Sequence, residues 1–429
     1  MTARLHAARW IASVVVLLAS AALADDWPQW RGPGRDGISK ETGLAKQWPA
    51  EGPKLLWQVK DIGQGYSTPA VVGEHLYLLG NTGLDDEFVE ARKVADGSRV
   101  WSTRIGKVGN PDQRPAYPAA RSTPTIEGDV LYALGSDGDL VCLDIAAGKE
   151  RWRKNLRSDF GGKPGEWAYS ESPLIDGDAL IVTPGGADAT LVALNKKTGD
   201  VIWKSAVPGG DAAGYGSITM TDAAGVKQYV QFLAKGLVGV DAKTGAFLWR
   251  YDRTAKGSPA NMMTAVAHGD LVYSGAPRSG GGAVRISKGD DGKLVATEAY
   301  FDNKLPTAIG GAVLVGDHLY GTTSAVLVCA DFKTGQIKWT DRAIGAAAVL
   351  FADGLLFCHG ENGEVALVEA TPDGYREKGR FTPPAQPDRG KSKAWAYPVV
   401  ANGRLFIRDA DVLWCYDVKA PPTATARAE

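Results

Sequence analysis

Cysteine and histidine are scarce in this chain, at four and five in 429 residues, and neither is grouped. Cys142, Cys329, Cys358 and Cys415 are too far apart for a Cys-x-x-Cys redox or zinc pair, and none heads a haem-attachment motif. Each sits in an apolar, strand-like run and is read as a small buried hydrophobe; some disulfide pairing is the alternative in an exported chain. His6 falls in the N-terminal apolar segment, and His75, His268 and His318 flank hairpin turns. A histidine metal cluster or a Ser-His-Asp arrangement is therefore not expected. Gly280-Gly281-Gly282 lacks the lysine and hydroxyl residue of a phosphate loop. Asp137-Gly138-Asp139 and Asp290-Asp291-Gly292 lack the spaced ligands of an EF-hand and read as hairpin turns.

Two further absences bound the class. After residue 25 no segment keeps a helical period over ten or more residues, so the chain is not helical. The apolar run Trp10–Leu18 is too short to span a bilayer. With Arg4 and Arg9 before it and Ala22-Leu23-Ala24 after it, residues 1–24 read as a cleaved signal peptide. No cysteine follows the cleavage site, so a lipid anchor is not expected. The mature chain is expected to be periplasmic or secreted, with no membrane span. Net charge is −1 and no basic stretch is continuous, which argues against nucleic acid as a partner.

What the chain does hold is a repeat. Eight times, two apolar runs flank a turn such as Gly128-Asp129, Gly177-Asp178, Gly269-Asp270, Gly316-Asp317 or Asn402-Gly403. These residues tolerate the positive φ of tight hairpins. A third run, a Thr-Gly turn and a tryptophan usually follow. The clearest copies are Asn195 to Trp203, Asp241 to Trp249 and Asp331 to Trp339; degenerate ones end at Trp101, Trp152, Tyr300 and Phe381. A unit of roughly 40–50 residues with four short strands marks a propeller blade. The expected fold is all-β, an eight-bladed β-propeller of four-stranded blades. The last unit, from Pro398 to Val418, lacks its fourth strand, and Lys54-Leu55-Leu56-Trp57-Gln58-Val59 supplies a spare one. The N-terminus is expected to complete the last blade. The resulting division is a signal peptide over 1–24, an N-terminal lead over 25–53, the propeller over 54–419 and a disordered tail over 420–429.

The pattern Asp-x-x-Thr-Gly-x-x-x-Trp resembles the tryptophan-docking repeat of the pyrroloquinoline quinone (PQQ) propellers, over about residues 55–418. That family holds quinoprotein alcohol dehydrogenases and the periplasmic propeller of the outer-membrane β-barrel assembly machinery. The opening Asp26-Trp27-Pro28-Gln29-Trp30-Arg31-Gly32-Pro33 is similar to the lead of uncharacterised exported members. The repeat itself is structural: the aspartate bonds its own turn, the glycine takes the left-handed position and the tryptophan fills the wedge between blades. Trp203, Trp249 and Trp339 are accordingly expected to be buried.

Function is expected where connections are long on a rigid scaffold. Residues 102–121, 153–171, 204–216 and 382–397 are long connections that share one face, together with Asn81–Glu87 and a flexible Arg278–Gly282; 340–346 is short. The residues leading into the inner strands include Tyr66, Tyr117, Arg121, Trp167, Tyr169, Glu171, Tyr215, Trp395 and Tyr397. Arg121, Trp167, Tyr169, Glu171, Tyr215, Trp395 and Tyr397 form the candidate axial pocket, suited to a flat anionic ligand, with loop packing as the plain alternative. No catalytic residue and no metal ligand is assigned. A binding or scaffolding module for a protein, envelope polymer or small ligand is the preferred reading, with no cofactor. The alternative is a PQQ-dependent alcohol or sugar dehydrogenase. The resemblance would then imply calcium held by Glu171 with Asn261 as the amide and Trp167 or Trp395 as the floor, but the adjacent-cysteine pair of many such enzymes is missing and no base is assigned.

Overall fold

The computed structural model describes residues 26–113, 117–309 and 311–421. The segment read as a signal peptide and the tail beyond Pro421 lie outside the described residues. The chain forms eight antiparallel sheets set as the blades of a propeller; seven have four strands, and one gains a short fifth. The expected fold is the observed one.

Blade 4 shows how the sequence builds a unit. Thr219–Thr221, Gln228–Phe232, Leu237–Asp241 and Phe247–Tyr251 pair in order. Asp241 Oδ1 accepts the N–H groups of Lys243 and Thr244 at 3.0 and 2.8 Å, and the Thr244 hydroxyl at 2.8 Å. That closes the turn onto Gly245 at φ 72°. The strand then bulges, because Gly239 pairs with Trp249 and Val240 with Phe247. A bulge at this place recurs in all eight blades, and a bulge adds local twist. The turn glycine receives the ring of the preceding blade. A Cβ on Gly148, Gly245 or Gly335 would lie 2.4–2.5 Å from Trp101, Trp203 or Tyr300.

Two details correct the reading of the repeat. Trp249 is fully buried, but Trp203 and Trp339 are only half-buried. Trp249 turns into its own blade, donating from Nε1 to Gln228 Oε1 at 2.5 Å, over Gly239, where a Cβ would lie 2.2 Å away. Trp339 instead spans to the next blade, donating to Thr371 O at 2.8 Å, and keeps one face in solvent. In blade 7 the bulge position is Gly379, not Phe381. The Phe381 ring still docks on the turn before Lys54–Val59, where a Cβ on Gly52 would lie 2.5 Å from it, and Trp48 of the N-terminal lead packs edge-on against that ring at 5.3 Å.

The core lies in the seams between blades. Between blades 2 and 3 it is Leu134, Leu140, Leu180, Val182 and Leu194. The seam between blades 8 and 1 is closed as expected: Lys54–Val59 pairs antiparallel with Val412–Asp417. The fully buried Arg408 donates across it to Ser67 O at 3.0 Å and Leu79 O at 2.6 Å.

The lead is a hub rather than a simple entrance. Between Trp27 and Ser39 it touches every blade. Trp27 exchanges backbone bonds with Val71 of blade 1, and Pro28 O accepts from Ile126 of blade 2 at 2.9 Å. Arg35 donates to Ser172 O and Pro173 O at the start of blade 3, and to Ile218 O at the start of blade 4. Trp30 Nε1 donates to Thr264 Oγ1 beside blade 5 at 2.9 Å, and Arg31 Nη2 to Ala312 O beside blade 6 at 2.5 Å. Ile38–Ser39 then pairs in parallel with blade 7, and Ser39 Oγ donates to Val400 O of blade 8 at 3.0 Å. Arg31 and Arg35 both hold positive φ, 59° and 54°, which is uncommon for residues with side chains. The bonds their guanidinium groups make across the axis hold them there.

The connections also differ from expectation in their limits. The outer strands of blades 1, 2 and 3 run on to Gly106, Asn155 and Ser205, so the loops begin a few residues later than the aromatic positions suggested. After blade 2, Leu156–Phe160 forms a short helix capped by Asn155 Oδ1. Gly280–Gly282 is not a flexible loop but the start of a buried strand. A Cβ on Gly281 would lie 2.1 Å from the Tyr273 hydroxyl, so glycine serves close packing there.

Candidate functional site

Loops leading into seven of the eight inner strands converge on one axial cup of about 380 Å³. The exception is the short connection before blade 7. One wall is Tyr66, Tyr117 and Trp395, with Trp395 centred 5.1 Å from Tyr66 and 5.2 Å from Tyr117. Facing them are Trp167 and Tyr215, 6.0 Å apart; the Tyr215 hydroxyl also accepts from Trp167 N at 3.1 Å. Met262 and Ile309 complete the sides. The bottom is Trp30, whose ring meets Tyr397 edge-on at 4.7 Å.

Local backbone explains why neighbouring residues part company. Ala168 takes φ 76° and bonds back to Gly165 O at 3.0 Å. Trp167 therefore lines the cup, while Tyr169 enters the seam between blades 2 and 3 and donates to Pro184 O at 2.8 Å.

The charges in the cup are positive. Arg121 is half-buried, lies over the Tyr66 ring at 5.2 Å and donates from Nη2 to Tyr117 O. Its Nε has no hydrogen-bond partner, and it makes no ion pair among the described residues. Burial pulls its pKa below the usual arginine value, against the pull of the Tyr66, Tyr215 and Glu87 charges. Lys393, the other cation among the described lining residues, is paired with Glu361, which also accepts from Trp395 Nε1 at 2.9 Å. No carboxylate is among the described lining residues.

Of the seven residues proposed for the pocket, Arg121, Trp167, Tyr215, Trp395 and Tyr397 line the cup; Tyr169 and Glu171 do not. Glu171 is buried beside the axis, where it accepts from Thr183 N at 3.0 Å and Gln231 Nε2 at 2.9 Å. Burial pushes its carboxyl up to about 7, opposed by the bond from Thr183 and the charge of Arg35. Asn261 is tied through Nδ2 to Leu233 O at 2.7 Å and Ala234 O at 2.9 Å. A calcium–PQQ cradle needs a carboxylate and an amide oxygen turned into the cup. Asn261 Oδ1 is buried without a hydrogen-bond partner, but both oxygens of Glu171 are taken by Thr183 and Gln231 and neither residue lines the cup, so these residues do not fit that arrangement. The cup residues missed from sequence include Trp30, Met262, Ile309 and Lys393. The lead was set apart as a segment, but nothing in its spacing shows that it reaches the axis.

Together the repeat, the docked tryptophans and the axial cup define a PQQ-like propeller. The family profile described as outer membrane protein assembly factor BamB matches residues 38–166 and 85–341, more than half of the chain. The chain belongs to that family. It is 25% identical over 373 residues to the outer membrane protein assembly factor BamB of Burkholderia pseudomallei, covering 75% of this chain and 90% of the relative. It is 22% identical over 259 residues to the tetrathionate hydrolase of Acidithiobacillus ferrooxidans, covering 52% of this chain and about half, 48%, of that enzyme. It covers only 31% of the BamB of Salmonella typhimurium. A quinoprotein ethanol dehydrogenase of Pseudomonas putida matches at 34% over 135 residues, 32% of this chain and 20% of that one. Among solved structures, BamB of Moraxella catarrhalis superposes with TM-score 0.59 at 16% identity, covering 85% of this chain and 99% of that one. The quinohemoprotein alcohol dehydrogenase of Comamonas testosteroni gives 0.66 at 12%, covering 92% and 81%. These structural likenesses speak for the fold alone.

Proposed function

We propose that this chain is an exported propeller that works as a binding or scaffolding module. The loop-face cup takes an anionic group presented by a protein, envelope component or small ligand. One observation carries the reading: among the described residues, Arg121 stands in an aromatic cup without an ion-pair partner, and no carboxylate lines that cup. A cation there is unspent for recognition, and aromatic walls suit a flat or apolar body attached to the anion. The assembly-factor relatives favour a protein as the bearer of that group. The competing dehydrogenase reading needs a carboxylate turned into the cup, and Glu171 turns to Thr183 and Gln231 instead.

The test uses the mature chain and the anionic aromatic probe 8-anilinonaphthalene-1-sulfonate. One probe should bind per chain, and Arg121→Gln should weaken binding about tenfold, as loss of a charge-assisted contact implies. Equal affinity in wild type and variant would discard the site. Dye-linked alcohol oxidation after incubation with PQQ and calcium would replace the binding-module reading with the dehydrogenase one.

A further inference from the structure

We propose that Trp30, on the N-terminal lead, is a ligand-contacting residue, and that filling the cup stabilises the seated lead. The inference rests on the reading of the cup as a binding site and adds the part the chain's own N-terminal segment plays in it.

Three observations carry it. Trp30 lies at the bottom of the cup, fixed at two points: its Nε1 donates to Thr264 Oγ1 and its ring meets Tyr397. Its neighbours on the hub are closed off, with Trp27 and Arg31 each 2% and Arg35 4% exposed, whereas Trp30 stays half-exposed. The free part of this indole is the part that lines the cup. Finally, the segment that carries Trp30 touches all eight blades and runs on to Lys54–Val59, the strand that closes the ring.

The consequence is thermodynamic. A ligand resting on Trp30 has a full floor only when the lead is seated. It binds that state better than one with the lead displaced, and differential affinity shifts the population toward the seated state. By reciprocity, seating the lead raises ligand affinity by the same factor by which the ligand favours seating. Trp30 also sets the depth of the cup, so it governs the length of the group that fits.

The experiment titrates the mature chain with 8-anilinonaphthalene-1-sulfonate and follows hydrogen exchange of residues 26–40 with and without saturating probe. Trp30→Ala should weaken the probe about tenfold while far-ultraviolet circular dichroism stays that of the wild type. Trp30→Phe should restore most of the loss. Probe should slow exchange over 26–40 in the wild type and not in Arg121→Gln. If Arg121→Gln loses the probe but Trp30→Ala keeps it and exchange is unchanged, the floor assignment is overturned while the cup remains a binding site. If neither variant changes affinity, the cup reading itself falls. Should Trp30→Ala fail to fold, the Trp30→Phe affinity and wild-type exchange decide: unchanged exchange at saturation overturns the proposal.

Discussion

Replacing Arg35 by methionine tests whether the lead is the axle of the ring. The guanidinium makes four hydrogen bonds from a site 4% exposed: to Ile218 O, Gln29 Oε1 and Pro173 O, each at 3.0 Å, and to Ser172 O at 2.9 Å. Pro173 O keeps a second donor, the Thr125 hydroxyl at 2.6 Å, so its loss is partial. Ser172 O and Ile218 O lose charge-assisted donors, at about 1–3 kcal/mol each for a buried carbonyl. Against that stands the relief of no longer burying a charge, which is strong enough to pull Arg35 down to about 10. Methionine refills much of the volume. The net loss expected is about 2–4 kcal/mol, on the scale seen when one member of a buried polar set is removed. Urea unfolding followed by tryptophan fluorescence measures it. A second readout is electrostatic: without the Arg35 charge, the Glu171 carboxyl should rise further above its value of about 7. A loss below about 0.5 kcal/mol, the range of an ordinary surface substitution, would refute the axle.

Other predictions follow from burial. Glu87, which accepts from Ser136 N and Oγ between blades 1 and 2, is pushed by burial up to about 7, as is Glu171. A carboxyl whose folded pKa is raised stabilises the fold fully below its unfolded value, and that contribution is lost as pH rises through the folded one. Stability should therefore fall from about pH 4.5 to about pH 7, by up to about 1.4 kcal/mol per unit for each group. Glu87→Gln should flatten its share, and an unchanged slope in denaturant titrations at stepped pH would count against it. Trp249→Ala should cost about 3–5 kcal/mol, and Trp203→Ala clearly less, because only Trp249 is fully buried. Equal losses on denaturation would show that the inward turn of Trp249 carries no weight.

The architecture was legible because each repeat states it locally. Asp331 to Trp339 contains the turn acceptor, the left-handed glycine and the large ring in one stretch of nine positions, and after the bulge that ring reaches the next blade. Ring closure was legible for the same reason: an unpaired strand with its tryptophan remained at the N-terminus. Contacts between distant segments were not legible. Gly379 occupies a ring position, and only the fold reveals that Phe381 docks at Gly52 instead, with Trp48 from the distant lead packed against it. The cup shows the same division. Its aromatic residues were found by their place before inner strands, but alternation across Ala168 sends Tyr169 to the seam, and Glu171 turns to Thr183 and Gln231. Backbone conformation at a single alanine is not written in a loop sequence.

The hub also fills the centre of the ring. In a ring of eight similar blades the axis is open unless something fills it, and here Trp30, Arg31 and Arg35 fill it with bonds to blades on several sides. Trp30 therefore lies in the cup lining together with the loops that differ in length. That face breaks the symmetry of the repeats: the loop before blade 2 brings Arg121, the one before blade 8 brings Lys393, Trp395 and Tyr397, and the one before blade 7 brings no lining residue. Repeats supply the rigid frame, and their unequal loops supply a single directional site. The cation within it has no acidic partner among the described lining residues, and Tyr66, Tyr117 and Trp30 line the same cup.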